Sequence, residues 1–312
     1  MSIKRRLAVA LPFSILLFMT WGCSPLRQAS SQDAQPIDLQ STVEHLPQPD
    51  LVPAPPDSLP ADTSMDGHSR FEVSHTDGAV WTLVWSDEFT GPEVNTRTWN
   101  IEDQFVEKNG ELQYYRPKNV FIEDGVLVLE SRRESFGGKP YTSGSVTSQN
   151  KKTFKHGRIT ARIKMPAVAG LWPAFWMLGT KGDWPSCGEI DIMEAKGREP
   201  GVIYGTNHWG PLVGGNHPNY GKTFQFPSGQ DITGWHEYTL EWNQRLLTFW
   251  VDDFPIYLIM NTIDPFNQDF YLILNLAVGG MFDNYLEPPQ TFTAQRMLVD
   301  YVRVYQPAPD PQ

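Results

Sequence analysis

The chain has 312 residues and a formal net charge of −11, from 36 acidic against 25 basic side chains. That length admits one or two domains. The acidic balance argues against nucleic acid, which selects basic surfaces, and against polyanionic glycans, so a neutral polymer is the easier partner.

In chain order, Lys4, Arg5 and Arg6 precede the largely apolar stretch Leu7–Met19. This run falls short of the ~20 residues that span a bilayer and reads as an export leader, residues 1–23. It ends at Gly22-Cys23-Ser24, a small residue before a cysteine, as at a bacterial lipoprotein cleavage site, although Thr20-Trp21 departs from the usual leucine and small residue. Two readings stay open. Lipidation of Cys23 makes a cell-surface or outer-membrane lipoprotein whose only membrane contact is the anchor, and an incidental cysteine makes a secreted protein. With Cys23 lipidated, Cys187 has no disulfide partner and reads as a small buried residue, because no His-Asn or His-Asp pattern accompanies it. Residues 24–77 carry Pro47-Gln48-Pro49 and Pro53-Ala54-Pro55-Pro56 without an apolar period, and read as a linker.

The folded domain is expected over residues 78–308, acting as a monomer. Short apolar runs punctuated by Gly and Pro predict strands at Thr82–Ser86, Val126–Ser131, His156–Lys164, Phe175–Leu178, Gly201–Trp209, Trp235–Trp242, Leu247–Val251, Phe270–Val278 and Met297–Tyr305. No long amphipathic helix interrupts them, so the class is all-β, a sandwich or jelly roll. Asn109-Gly110-Glu111-Leu112-Gln113 reads as a loop entering a strand, where Asn109 suits an Asx-turn. Trp172 and Trp176 differ by four and share one strand face. Trp184 and Trp209 flank the next two strands. Indoles either fill the core or stack on the apolar faces of pyranose rings.

The most informative stretch is Trp184–Ala195, where Glu189, Asp191 and Glu194 sit among Ile190, Ile192 and Met193. Alternation puts Glu189 and Asp191 on one face. Glu194 joins them only if a β-bulge at Met193 inserts one extra residue. Two such glutamates could bring their carboxyls to about 5–5.5 Å, the spacing of a retaining glycosidase. An exposed acidic strand edge is the alternative. Asn207-His208-Trp209 lies on the following strand; His208 could meet substrate or be a satisfied buried histidine, and no His/Cys spacing suggests zinc.

Gly188–Glu194, together with Gly170-Leu171-Trp172-Pro173-Ala174-Phe175-Trp176-Met177-Leu178, resembles glycoside hydrolase family 16, in particular its bacterial laminarinase-like endo-β-1,3-glucanases. The resemblance implies a β-jelly-roll of two curved antiparallel sheets with an open concave cleft for a neutral β-glucan. It implies Glu189 as nucleophile, Glu194 as general acid/base, Asp191 as their helper, and no cofactor for catalysis. Asn109 would hold the sugar next to the cleaved bond, with His208 near the general acid and Trp172, Trp176, Trp184 and Trp209 as the indoles of the cleft. A structural calcium is implied on the convex side, held by the Asp300 side chain and the backbone oxygens of Glu88 and Gly125; the alternative is that Asp300 pairs with Arg303. The extra residue before Glu194 favours the laminarinase, agarase or carrageenase side over mixed-linkage glucanases. Two loops depart from the pattern: Tyr141–Val146 has serine where relatives often place a sugar-binding arginine, and Gly279-Gly280-Met281-Phe282 lacks a following tryptophan. A transglycosylase, an agarase- or carrageenase-type galactan hydrolase, a non-catalytic glucan-binding protein and a structural surface lipoprotein remain as alternatives.

Overall fold

Period-two alternation of apolar and polar side chains builds nearly the whole fold, because each strand has one face to bury. The computed structural model describes residues 71–76, 78, 80–105, 108–261 and 265–307. The leader, Cys23 and the linker up to residue 70 lie outside them. The strands are β1 (Phe71–Val73), β2 (Val80–Asp87), β3 (Asn100–Ile101), β4 (Gln104–Phe105), β5 (Gln113–Tyr115), β6 (Val120–Glu123), β7 (Val126–Arg132), β8 (Tyr141–Ser143), β9 (Ser145–Thr147), β10 (Gly157–Lys164), β11 (Leu171–Gly179), β12 (Glu189–Glu194), β13 (Val202–His208), β14 (Asn219–Gln225), β15 (His236–Trp242), β16 (Leu246–Val251), β17 (Phe254–Met260), β18 (Phe270–Val278) and β19 (Ala294–Pro307). The helical elements among the described residues are three single 3-10 turns.

The strands form two sheets. The inner sheet runs β14-β13-β12-β11-β18-β9-β3, and the outer runs β17-β16-β15-β10-β19-β7-β8-β5-β4, with β2 and β6 joining β19 and β7. Every pairing is antiparallel except β5 with β8, a local exception to the expected antiparallel sheets. Between the sheets lies the core. Phe175, Met177, Ile190, Ile203, Leu272, Leu274 and Leu276 of the inner sheet are fully buried, as are Leu127, Leu129, Ile159, Leu240, Phe249 and Val302 of the outer. Burial of such side chains stabilises a fold by about 1.5–3 kcal/mol each, enough to hold this domain without a disulfide. Cys187 is unpaired and buried.

The sheet begins earlier than the sequence suggests. β1 pairs with β2 through Phe71↔Thr82. Ser74, His75 and Thr76 then dock on Glu241: the Ser74 hydroxyl donates to Oε2 (3.0 Å), the His75 amide to Oε1 (2.8 Å) and the Thr76 amide to Oε2 (3.0 Å). Arg158 Nη1 meets Glu241 Oε1 at 3.0 Å, so a buried carboxylate on β15 ties this segment to the outer sheet. Residues 71–76, which composition placed in the linker, therefore belong to the fold.

Candidate active site

In an antiparallel ladder, directly opposed residues share a face. β12 pairs with β11 through Leu178↔Glu189, Trp176↔Asp191 and Ala174↔Glu194. On its other edge β12 pairs with β13 through Glu189↔His208, Asp191↔Thr206 and Glu194↔Tyr204. The partners fall at steps of two on both neighbours, so all three acids lie on one face of the inner sheet, away from the core. An irregularity between Asp191 and Glu194 makes this possible. Against β11 the extra residue is Ile192, not Met193: Phe175 faces Met193 and Trp176 faces Asp191. Ile192 and Met193 are both fully buried. Two apolar side chains thus go into the core in succession, and the polar one emerges.

Indole donors hold the acids at both ends. Trp172 Nε1 donates to Glu194 Oε1 at 2.9 Å, and Trp184 Nε1 donates to Glu189 Oε2. Trp176 Nε1 donates to Asn275 Oδ1 at 2.7 Å. His208 Nε2 lies 3.3 Å from Asp191 Oδ2, and His208 Nδ1 lies 2.7 Å from His217 Nε2. One ligating atom each from Glu189, Asp191 and His208 fall within 4.8 Å of one another.

Electrostatics follows from burial. Asp191 is 3 % exposed and Glu194 8 %. Desolvation, then the charge of Asp191, raises the Glu189 carboxyl above its ordinary range. Desolvation, then Glu189, pushes Glu194 up to about 7, and the Trp172 hydrogen bond pulls against that rise. Asp191 is raised most clearly, by burial and then by Glu194. The three share protons as a group. Burial raises all three carboxyls, Glu189 to about 8 and Glu194 to about 7, so they do not all ionise together and the site keeps a proton near neutral pH. One acid ready to attack beside one ready to donate is the arrangement that double displacement at a glycosidic carbon requires.

Trp172, Trp176 and Trp184 stand on this face with their N–H groups engaged by the site, and Trp184 is 39 % exposed. Trp209 corrects the expectation for it. It follows His208 by one residue and so turns to the opposite side, where it packs on the core against Phe266, ring centroids 6.0 Å apart. Asn109 lies exposed in the loop before β5, its Nδ2 3.3 Å from Glu111 Oε1. Where the departing loops lie is also clear. Ser145 opposes Asn275 across β9 and β18, and Phe282 stacks on Trp172 with centroids 4.9 Å apart. Lys196 Nζ sits 4.8 Å from the Phe282 ring and 4.5 Å from that of Tyr204.

Sequence reasoning missed His217, Lys196 and Glu111. His217 had a usable signal. Gly210, Gly214 and Gly215 mark a hairpin that folds residue 217 back on His208, and Trp209 N donates to Pro218 O to close it.

The residues named for calcium belong to, or adjoin, strands of the outer sheet. β7 covers one edge of β19 up to Leu127↔Val299, and β2 covers the same edge from Asp87↔Val302. The gap between them falls at Asp300 and Tyr301; Glu88 directly follows β2 and Gly125 directly precedes β7. Asp300 Oδ2 pairs with Arg162 Nη1 at 2.6 Å, and the Glu88 side chain forms a two-point ion pair with Arg303. Arg303 thus pairs with Glu88 instead of Asp300, and the Glu88 and Gly125 carbonyls plus the second Asp300 oxygen are hard donors of the kind calcium takes.

Comparison with known proteins agrees with this geometry. The model of the glycosyl hydrolases family 16 matches residues 99–300, which include all three acids. A second model, of the beta-glucan synthesis-associated protein SKN1/KRE6/Sbg1, matches residues 7–185. The chain is 36 % identical over 265 residues to a glucan endo-1,3-beta-glucosidase A1 of Niallia circulans, covering 74 % of this chain and 39 % of that protein. It is 37 % identical to a beta-glucanase of Rhodothermus marinus, covering 72 % of this chain and 85 % of that one. Among solved structures, an endo-beta-1,3-glucanase from Pyrococcus furiosus superposes with a TM-score of 0.70 at 36 % identity, covering 77 % of this chain and 98 % of that one. The chain therefore spans about two-fifths of the first relative's length and most of the other two.

Proposed function

The chain belongs to glycosyl hydrolase family 16, and on that premise we propose that it is a retaining endo-glycosidase cutting β-1,3-linked glucans. The observation that carries this reading is the register of β12, which sets Glu189, Asp191 and Glu194 opposite evenly spaced partners on both neighbours. Glu189 attacks the anomeric carbon, and the bond to the leaving oxygen breaks as Glu194 delivers its proton there. Trp172 occupies Glu194 Oε1 and leaves Oε2 for that proton. Water then enters; Glu194 takes one of its protons, and the oxygen displaces Glu189 from the glycosyl ester. Asp191 holds a proton between the two steps and keeps Glu189 anionic. Trp176 and Trp184 offer indole faces to the sugar rings.

The test is laminarin cleavage followed by NMR of the first-formed anomer. The β anomer is expected initially, with Glu189→Gln and Glu194→Gln each slower by about 10³-fold or more. An α anomer formed first, or near-native turnover by either variant, refutes the roles. The same assay separates hydrolysis from transfer, because a transglycosylase makes products longer than its substrate.

Three further parts belong to this proposal. A calcium ion at the β19 gap would be held by Asp300 and the carbonyls of Glu88 and Gly125, and would pin β2 and β7 to β19, remote from the chemistry. The basic-then-apolar leader supports export with Cys23 lipidated, keeping a monomeric enzyme at the cell surface. Incorporation of labelled palmitate that persists in Cys23→Ala rules the anchor out.

A further inference from the structure

Glu111 is a buried carboxylate that the reaction does not use. It is 7 % exposed, and burial raises its carboxyl above the ordinary range. Its neighbours approach from two directions, and each direction dictates which atom donates. From the cleft floor, Trp176 Nε1, which can only donate, gives its hydrogen to Asn275 Oδ1. Asn275 must then turn Nδ2 to the Tyr115 hydroxyl oxygen, at 3.1 Å. Tyr115 has its own proton left to give, and its hydroxyl lies 3.5 Å from Glu111 Oε2. From the backbone, the Val278 amide donates to Gln113 Oε1 at 2.8 Å, so Gln113 points Nε2 at Glu111 Oε2. Both relays deliver donors, which an ionised carboxylate satisfies.

The third neighbour is Asn109, whose Nδ2 meets Glu111 Oε1 at 3.3 Å. A carboxylate accepts only, so the amide nitrogen of Asn109 must face inward and its oxygen outward. The backbone here is left-handed and closely packed. Asn109 and Gly110 have φ of 65° and 66°, and the Tyr285 ring lies 2.7 Å from where a Cβ on Gly110 would stand. The loop borders the chemistry: a Cβ on Gly280 would lie 3.1 Å from the Trp172 ring and 3.3 Å from Glu111 Cγ. Trp172 in turn holds Glu194.

We propose that Glu111 is a positioning residue that locks the Asn109 amide so that its oxygen, not its nitrogen, faces the cleft, making Asn109 an acceptor for a donating sugar hydroxyl. This rests on the glycosidase reading of the cleft. Selectivity at that position then follows: a hydroxyl free to donate is taken, and a methylated or otherwise blocked one is refused.

The polarity can be inverted and restored. In Glu111→Gln, Gln113 and Tyr115 still demand an acceptor, so the new amide oxygen stays with them and its NH₂ turns to position 109. Asn109 then flips and presents its nitrogen outward. KM should rise about 10-fold with kcat changed far less, as expected when one hydrogen bond to the sugar is removed. Asn109→Asp alone sets two carboxylates together and should also raise KM. In Asn109→Asp/Glu111→Gln the glutamine donates to the aspartate, an oxygen faces out again, and KM should return to within about 3-fold of wild type. The same order should appear in calorimetric binding of laminari-oligosaccharides to Glu189→Gln, which needs no turnover. In an Asn109→Ala background, Glu111→Gln should add nothing to KM. A double variant no better than the worse single one overturns the proposal, as does an undiminished Glu111→Gln effect without Asn109, which marks a merely structural role. Wild-type protein that neither binds nor cleaves a β-glucan counts against the β-glucan reading of the cleft instead, and the cycle is then run on whichever glycan the protein does cleave.

Discussion

At the scale of single residues, the acids cost stability. Glu194 is pushed from 4.5 up to about 7, so the folded state binds a proton that the unfolded chain has released over that window. The number bound is lower in the unfolded state, so stability falls as pH rises from about 4.5 through about 7 and stays lower above it. Glu194→Gln removes that loss. It should be more stable than wild type by on the order of 3 kcal/mol at pH 8 and nearly indistinguishable at pH 4, read from urea unfolding at both pH values. Equal stability at pH 8 would mean that Glu194 titrates normally. This is also the scale at which the sequence was least legible. The three acids announced themselves by spacing, but Glu111 did not, because a charged residue in a loop reads as solvent-facing until the relays of Trp176 and Val278 are known. Trp209 misled for a related reason: the family resemblance grouped it with the indoles of the cleft, while strand parity sent it to the core.

At the scale of the element, β12 solves a problem of parity. Asp191 and Glu194 are an odd number of residues apart, and only an inserted residue puts them on one face. Deleting Met193 leaves Glu-Ile-Asp-Ile-Glu, which alternates without a bulge and still presents three acids together. The deletion should keep hydrolysis within about 100-fold of wild type while removing a buried side chain worth about 2–4 kcal/mol. Complete loss of activity in a protein that still folds would show that the bulge does more than set the face. The need for an irregularity was readable from the acids, but its seat at Ile192 was not, because either apolar residue satisfies the pattern. Other elements hid behind their composition. β14 is polar and exposed at the sheet edge, β17 carries Pro255, and the first half of β11 carries Pro173. Edges and prolines erase the apolar alternation on which strand recognition depends.

At the scale of the molecule, the inner sheet carries the chemistry and the outer sheet carries the fastenings. The jelly-roll class was legible because many short strands with turn residues leave few other architectures. The gap on β19 is where calcium should act. Millimolar calcium is expected to raise the Tm by several degrees, about what 1–2 kcal/mol of ligand stabilisation gives at this size, and Asp300→Ala should abolish the response. An unchanged Tm in wild type would leave the Arg162 pair as the whole role of Asp300.

The Glu241 junction has a mechanical meaning. Tension applied to the polypeptide ahead of Phe71 is taken first by the β1–β2 ladder and then by bonds to a carboxylate that is itself clamped by Arg158 within the outer sheet. The catalytic strands lie in the other sheet and contribute none of those bonds. An enzyme tugged through its amino-terminal side while gripping an immobile polymer would therefore strain its back and spare its palm.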